Sequence, residues 1–276
     1  LAARVRESDL VIAVGPRLGE MTSSGYSLFN SPLCEQPLVH IHPGAEELGR
    51  VYKAELAINA TIPEACAALA RIQVDSAAWA GDAHAANAAY RSFIEPVEVG
   101  DGVNLSEVFH WLSGALPRDA IVCNGAGNYA AWLHRFHQHR AYRTQLAPTS
   151  GAMGYGVPAA IAAKLAHPER VVVSVAGDGC FMMSAQELAT AARYEANVLF
   201  LVVDNGAYGT IRMHQERDYP ARKSGTDLTN PDFKKFAESF GCYARKVESA
   251  YEFPNAFRAA RRAGGGVGRG LVARRR

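Results

Sequence analysis

Asp178, in the tripeptide Gly177-Asp178-Gly179, and Asn205, in the segment "DNGAYGTI", lie twenty-seven residues apart. A carboxylate and a carboxamide oxygen brought together suit a hard divalent cation such as Mg²⁺. That ion takes oxygen ligands in octahedral geometry and shares its shell with a bound phosphate. Glycines on both sides of Asp178 let a backbone approach a diphosphate closely. The bland alternative for the tripeptide alone is an ordinary tight turn. Convergence depends on the elements that carry the two residues. Each follows a run rich in β-branched residues, "RVVVSVA" from Arg170 and "NVLFLVV" from Asn197, with "MSAQELATAARYEA" between them. A strand–helix–strand crossover of this length sets two parallel strands side by side. Asp178 and Asn205 then sit at neighbouring C-terminal strand ends, where open α/β sheets bind ligands. Ser184 and Glu187 have capping-box spacing for the intervening helix, a structural role.

The rest of the chain alternates in the same way. "DLVIAVG", "PLVHIHP" and "AELAINA" read as strands, "AEELGRVY" as a helix, and Thr61 with Glu64 as the capping box of another. A polar helix from roughly Ser76 to Ile94 and the connector "EPVEVGDGVN" follow. Beyond them come the helix "LSEVFHWLSGALP", the strand "AIVCNG", the helix "GYGVPAAIAAKLA", the two runs above, and a helix capped by Asn230 with Pro231 in its first turn. The fold class expected is α/β, two doubly wound parallel-sheet domains. The expected boundaries are 1–75 for a first domain in part, 76–100 for a linker, 101–263 for a diphosphate-binding domain and 264–276 for an atypical tail. "AGGGVGRGLVARRR" shows no convincing strand, and with the non-methionine start the chain reads as a fragment.

Composition excludes several classes. The 276 residues are 49% hydrophobic and 20% charged with a net charge of +2, which gives no reason to expect nucleic-acid or membrane partners. No apolar run approaches the ~18–20 residues of a membrane span. The five cysteines are scattered without a CxxC pair, so the reading is a reducing cytoplasm. His134, His137 and His139 have i, i+3, i+5 spacing that does not gather them on one helical face. His40 and His42 alternate along a strand, pointing to core packing or a second ligand pocket. "RMHQERDYPARKSG" reads as a loop closing over substrate or as a solvated connector.

The segment "GDGCFMMSAQELATAARYEANVLFLVVDNGAYG" resembles the signature of thiamine-diphosphate enzymes, and "SGAMGYGVPAAIAAKL" resembles the segment preceding it in acetolactate synthases and benzoylformate decarboxylases. "SDLVIAVGPRLG" and "PLVHIHPGAEELGRVY" resemble the end of the family's middle domain. The resemblance implies Asp178, Asn205 and the Ala207 carbonyl as Mg²⁺ ligands. It implies diphosphate contacts from Gly177, Gly179, Cys180, Tyr208 and Gly209, with Gly127, Asn128 and Tyr129 as neighbours. Met153 would bend the thiamine and the Gly151 carbonyl would accept from its aminopyrimidine. Cys180 stands where many relatives carry serine, and is either a packing residue or a reactive thiol. Gly125 stands where an acidic residue is frequent. The implied parent acts on a 2-oxo acid as an acetolactate synthase-like carboligase, homodimeric or homotetrameric. The alternatives are a simple decarboxylase and a non-catalytic cofactor-binding protein. FAD stays open, since "GPRLGEMTSSGY" suits either a flavin site or a degenerate loop. No glutamate of this sequence takes the role of the family's activating one, which sits on a separate N-terminal domain, so no catalytic residue is assigned. The implied turnover of the chain alone is negligible.

Overall fold

The structure is a computed structural model that describes residues 1–74, 79–100, 102–263 and 269–274, the last stretch by its backbone. The expected domain boundaries at 75/76, 100/101 and 263/264, and the final arginines, touch residues outside the described set. The chain divides into two units, Leu1–Gly81 and Asp82–Arg276.

In the first unit, helix α1 (Ala2–Arg6) precedes strands β1 (Val11–Val14), β2 (Leu38–His42) and β3 (Leu56–Asn59), paired in parallel in that order. Helix α2 (Ile62–Leu69) follows. The Glu64 carboxylate accepts from the Thr61 amide at 3.3 Å and the Thr61 hydroxyl at 2.7 Å, as the capping signature predicted. Those bonds hold the Glu64 carboxyl below its usual range. The expected helix "AEELGRVY" is only a 3-10 turn at Ala45–Glu47: Leu48 is extended and Gly49 has a φ of +76°, which a continuing helix does not allow. His40 is buried and its Nε2 donates to the Pro16 carbonyl at 2.8 Å, while His42 Nδ1 accepts from the Gly44 amide at 3.0 Å. Both rings are thus tied to backbone, which favours the packing reading.

Helix α3 (Ala80–Phe93) leads into the second unit. There the elements are α4 (Leu105–Ala115), β4 (Ile121–Asn124), α5 (Asn128–Phe136), β5 (Gln145–Leu146), α6 (Gly156–Ala166), β6 (Val172–Gly177), α7 (Asp178–Met182), α8 (Leu188–Arg193) and β7 (Leu199–Asp204). They continue with α9 (Gly209–Asp218), α10 (Phe233–Ser239), β8 (Tyr243–Val247), α11 (Phe253–Arg262) and β9 (Arg269–Arg274). The sheet is parallel throughout, in the order β5-β4-β6-β7-β9-β8. Apart from their last residues, β6 and β7 are buried along their whole length, which is why they read as continuous apolar runs. On α11, Phe253, Ala256, Phe257 and Ala260 form the buried stripe, and Trp111 of α4 meets both phenylalanines edge-on at 5.6 and 5.5 Å.

Two expectations are corrected. The tail does carry a strand: β9 lies between β7 and β8, from Leu199↔Arg269 to Asp204↔Arg274 on one side. Its apolar residues, within "RGLVAR", are too few to show a period, so only the gap between two parallel neighbours reveals it. Helix α10 is capped by Asp232, whose Oδ1 accepts from the amides of Lys234 and Lys235 at 3.0 and 3.2 Å. Asn230, the expected cap, is therefore free for another partner. The α/β class stands as expected.

Candidate functional site

The chain leaves β4 toward β5 on one side and returns to β6 on the other, so the strand order reverses between β4 and β6. A crevice opens beyond the C-terminal ends of strands at such a point. Here it is a cavity with about 610 Å³ of empty space, solvent at its mouth included. Three loops line it. From β4 to α5 come Ala126, Gly127, Asn128 and Tyr129; from β6 into α7 come Gly177, Asp178, Gly179 and Cys180; and after β7 come Asn205, Ala207, Tyr208, Gly209 and Thr210. Leu105, Trp132, Met153, Val203 and Ile211 supply apolar wall. Of the residues the sequence pointed to, Gly151 alone lies outside this lining, exposed with a φ of +67°.

The register explains the convergence. Gly177 at the end of β6 pairs with Val203, so the residues following each strand emerge side by side. Helices α5 and α9 begin at the cavity, with the short α7 between them, so first-turn amides without intrahelical partners face it. Thr210 donates its hydroxyl to Asn128 Oδ1 at 2.9 Å, joining the starts of α5 and α9.

Asp178 is buried, and its oxygens are unequally occupied. Oδ1 accepts from the Gly179 amide at 2.9 Å. Oδ2 accepts from the Gly206 amide at 2.8 Å and from Asn230 Nδ2 at 2.7 Å. A carboxylate offers about four lone-pair sites, so one remains, on Oδ1. Burial pushes the Asp178 carboxyl above the usual range, the negative neighbour Asp204 adding to this and the three donors opposing it. Among the described residues no Lys, Arg or His pairs with it. The Asn205 carboxamide oxygen accepts from the Ala207 amide at 3.3 Å, and the Ala207 carbonyl from the Gly209 amide at 2.9 Å, each keeping a lone pair. One buried anion, one amide oxygen and one carbonyl fit a hard cation that completes its shell with phosphate and water. They do not fit a cage of side chains, and no cluster of three or more His, Cys, Asp or Glu suited to a metal occurs among the described residues.

The turn after Asn205 is held by a segment the sequence did not single out. The Tyr208 amide donates to the Thr226 carbonyl and the Leu228 amide to the Gly206 carbonyl, both at 2.8 Å. This brings in Asn230, whose Nδ2 also lies 2.8 Å from Asp204 Oδ1. Asn230 is the contact that sequence reading missed; its local "NPD" pattern signals a helix cap instead. The expected Ser184–Glu187 box does not form. Ser184 donates to the Gly154 carbonyl at 2.8 Å, and Glu187 accepts from the Thr190 hydroxyl at 2.7 Å. The first half of the stretch expected as a loop after the turn, Arg212–Asp218, is instead part of helix α9, on which Ile211 and Met213 are about half exposed.

Cys180 is buried and receives hydrogen bonds on Sγ from the Tyr129 hydroxyl at 3.3 Å and the Gly154 amide at 3.2 Å, which supports packing over a reactive thiol. Burial, aided by Cys180, holds the Tyr129 phenol far above its ordinary value, so it stays a donor. The glycines fit around these groups: a Cβ on Gly179 would come within 2.5 Å of the Tyr208 ring. A Cβ on Gly125 would overlap Cys180 Sγ and lie 3.0 Å from the Tyr129 oxygen, so a side chain there requires these neighbours to shift. Gly125→Ala is expected to cost about 1–3 kcal/mol by overpacking, read from the denaturant midpoint. An unchanged midpoint would refute the tight contact. Of the three histidines, His134 Nε2 lies 3.2 Å from Asn124 Oδ1 while His137 and His139 meet edge-on at 4.9 Å, so they form no common ligand set.

Residues 125–267 match the family described as "Thiamine pyrophosphate enzyme, C-terminal TPP binding domain", and residues 1–69 match its central domain. The chain is 32% identical over 271 residues to the acetolactate synthase large subunit of Corynebacterium glutamicum, covering 93% of this chain and 42% of that protein. It is 30% identical over 273 residues to the acetolactate synthase of Mycobacterium avium, covering 94% and 43%. Among solved structures, the thiamine diphosphate-dependent 4-hydroxybenzoylformate decarboxylase of Rhodococcus jostii RHA1 superposes with a TM-score of 0.75 at 24% identity, covering 99% of this chain and 50% of that one. At that identity the likeness is one of fold. The chain thus spans less than half the length of these curated relatives. No helix among the described residues is long and apolar enough to cross a membrane.

Proposed function

The chain belongs to the thiamine pyrophosphate enzyme family, and from that premise we propose that its second unit binds the Mg²⁺–diphosphate end of the cofactor in an acetolactate synthase-like carboligase acting on a 2-oxo acid. The observation that carries the reading is Asp178, a buried carboxylate without a cationic partner among the described residues, facing a cavity ringed by helix starts. When bound, thiamine diphosphate supplies the carbon nucleophile and electron sink for 2-oxo acid decarboxylation.

The chain's own residues bind and orient. Asp178 Oδ1, the Asn205 amide oxygen and the Ala207 carbonyl would hold Mg²⁺. The amides of Asn128 and Tyr129 opening α5 and of Thr210 and Ile211 opening α9 would receive diphosphate oxygens, with the turns around Gly177–Cys180 and Tyr208–Gly209 lining the approach. Met153 and Leu105 keep the cavity wall apolar, which would exclude water from the organic part of a bound cofactor. The proposed division is a middle-domain part over 1–75, a linker over 76–100 and a cofactor domain that starts at 101 and takes in β9. The parent would be a cytoplasmic homodimer or homotetramer. A simple decarboxylase is the second reading, favoured by the same cavity and separated by product.

Calorimetric titration of the chain with thiamine diphosphate is expected to give saturable binding with Mg²⁺ and none with EDTA. Binding indifferent to EDTA would overturn the metal-anchored site. Complementation with a glutamate-bearing pyrimidine domain and pyruvate then separates acetolactate from acetaldehyde as product.

A further inference from the structure

Asp178 and Asp204 leave adjacent strands and share two donors. The Gly206 amide lies 2.8 Å from Asp178 Oδ2 and 3.2 Å from Asp204 Oδ1. Asn230 Nδ2 lies 2.7 Å from the first oxygen and 2.8 Å from the second. Two carboxylates this close repel unless donors sit between them, and these do. The arrangement has a second consequence. With two donors on it, Asp178 Oδ2 has no lone pair left, whereas Oδ1 carries only the Gly179 amide and keeps one.

We propose that Asn230 is a positioning residue: by filling Asp178 Oδ2 it leaves Oδ1 as the one oxygen of that carboxylate open to a divalent cation, and so favours Mg²⁺ over Ca²⁺. The inference rests on the metal-anchored reading above and adds a selectivity to it. Mg²⁺ demands near-ideal octahedral geometry with single carboxylate oxygens, while Ca²⁺ accepts bidentate carboxylates and loose geometry. A carboxylate held by one edge serves the first ion; one free to present both oxygens serves the second. Asn230 itself reaches no cofactor atom in this role. Its position is set by Asp232, which caps α10 in its place, and by the pairing of Thr226 and Leu228 with the Asn205 turn.

The test is thiamine diphosphate binding by the chain with Mg²⁺ alone and with Ca²⁺ alone, by calorimetry. Asn230→Ala is expected to lower the ratio of Mg²⁺-supported to Ca²⁺-supported affinity by about tenfold, the lower end for loss of an outer-shell partner. Asn230→Ser, which keeps one hydroxyl donor, is expected to fall between Ala and wild type, and carries the test should the alanine variant not fold. A ratio unchanged from wild type, including equal weakening with both ions, overturns the proposal and leaves Asn230 a structural residue. A wild-type chain that binds the cofactor with neither ion sinks the metal-anchored reading and this one with it.

Discussion

Asp178→Ala is expected to weaken Mg²⁺-dependent binding of thiamine diphosphate by roughly 100-fold or more, beyond the ~10–100-fold that loss of an outer-shell partner costs. Among the described residues it supplies the one carboxylate of the cavity lining. Its removal takes away the negative charge that compensates a divalent ion and the anchor of two turns at once, through the amides of Gly179 and Gly206. The apo protein responds differently. Burial raises the Asp178 carboxyl above its unfolded value, so its stabilising contribution belongs to the protonated form. That contribution is complete below the unfolded value of 3.8 and is lost as pH rises through the folded one. At neutral pH the apo fold therefore carries a strained anion that a bound cation relieves. Calorimetry on the variant, with an apo melt beside it, reads both effects. Unchanged cofactor affinity would reduce the site to a generic nucleotide-binding sheet.

Between pH 6.5 and 4 the fold is expected to lose about 3 kcal/mol through His137 alone. Its ring is buried at the end of α5, and desolvation, with repulsion from His139 and Arg140, lowers its pKa to about 4. The unfolded chain takes up the proton first as pH falls, so the stability is present above 6.5 and lost on passing through the folded value. His139 shifts in the same direction, by desolvation and then by repulsion from His134. Asp178 acts oppositely at the acid end of the window. Denaturant melts at pH 7 and pH 4 measure the difference, and His137→Leu is expected to remove most of the slope. Among the described residues His137 Nδ1 has no hydrogen-bond partner, so the replacement removes a buried polar atom without breaking a bond to it. A leucine variant as acid-sensitive as wild type would place the proton uptake elsewhere.

Local pattern was enough for some of this. Strands β6 and β7 were legible because a parallel strand buried on both faces has to be a β-branched and apolar run. The crossover between them then put Asp178 and Asn205 on one edge without further information. The Thr61–Glu64 cap was legible because both partners lie within one turn. Where the readings went wrong, a distant partner outbid a local one. Spacing points Ser184 to Glu187 three residues on, but the Gly154 carbonyl, thirty residues back, takes its hydroxyl. The local pattern points Asn230 to its own helix, but two carboxylates reached through β6 and β7 take its amide. Strand β9 has a place only because β7 and β8 leave one between them.

The sequence by itself determined the α/β alternation, the pair of residues proposed to hold a cation and the family, since these depend on runs and spacings along one stretch of chain. The tertiary structure alone decided which oxygen of Asp178 stays open, what a side chain at Gly125 would meet and how the Asn205 turn is braced. Those depend on hydrogen bonds and overlaps between segments well separated along the chain, and the direction of a side chain across such a gap is set by packing, which no local pattern encodes.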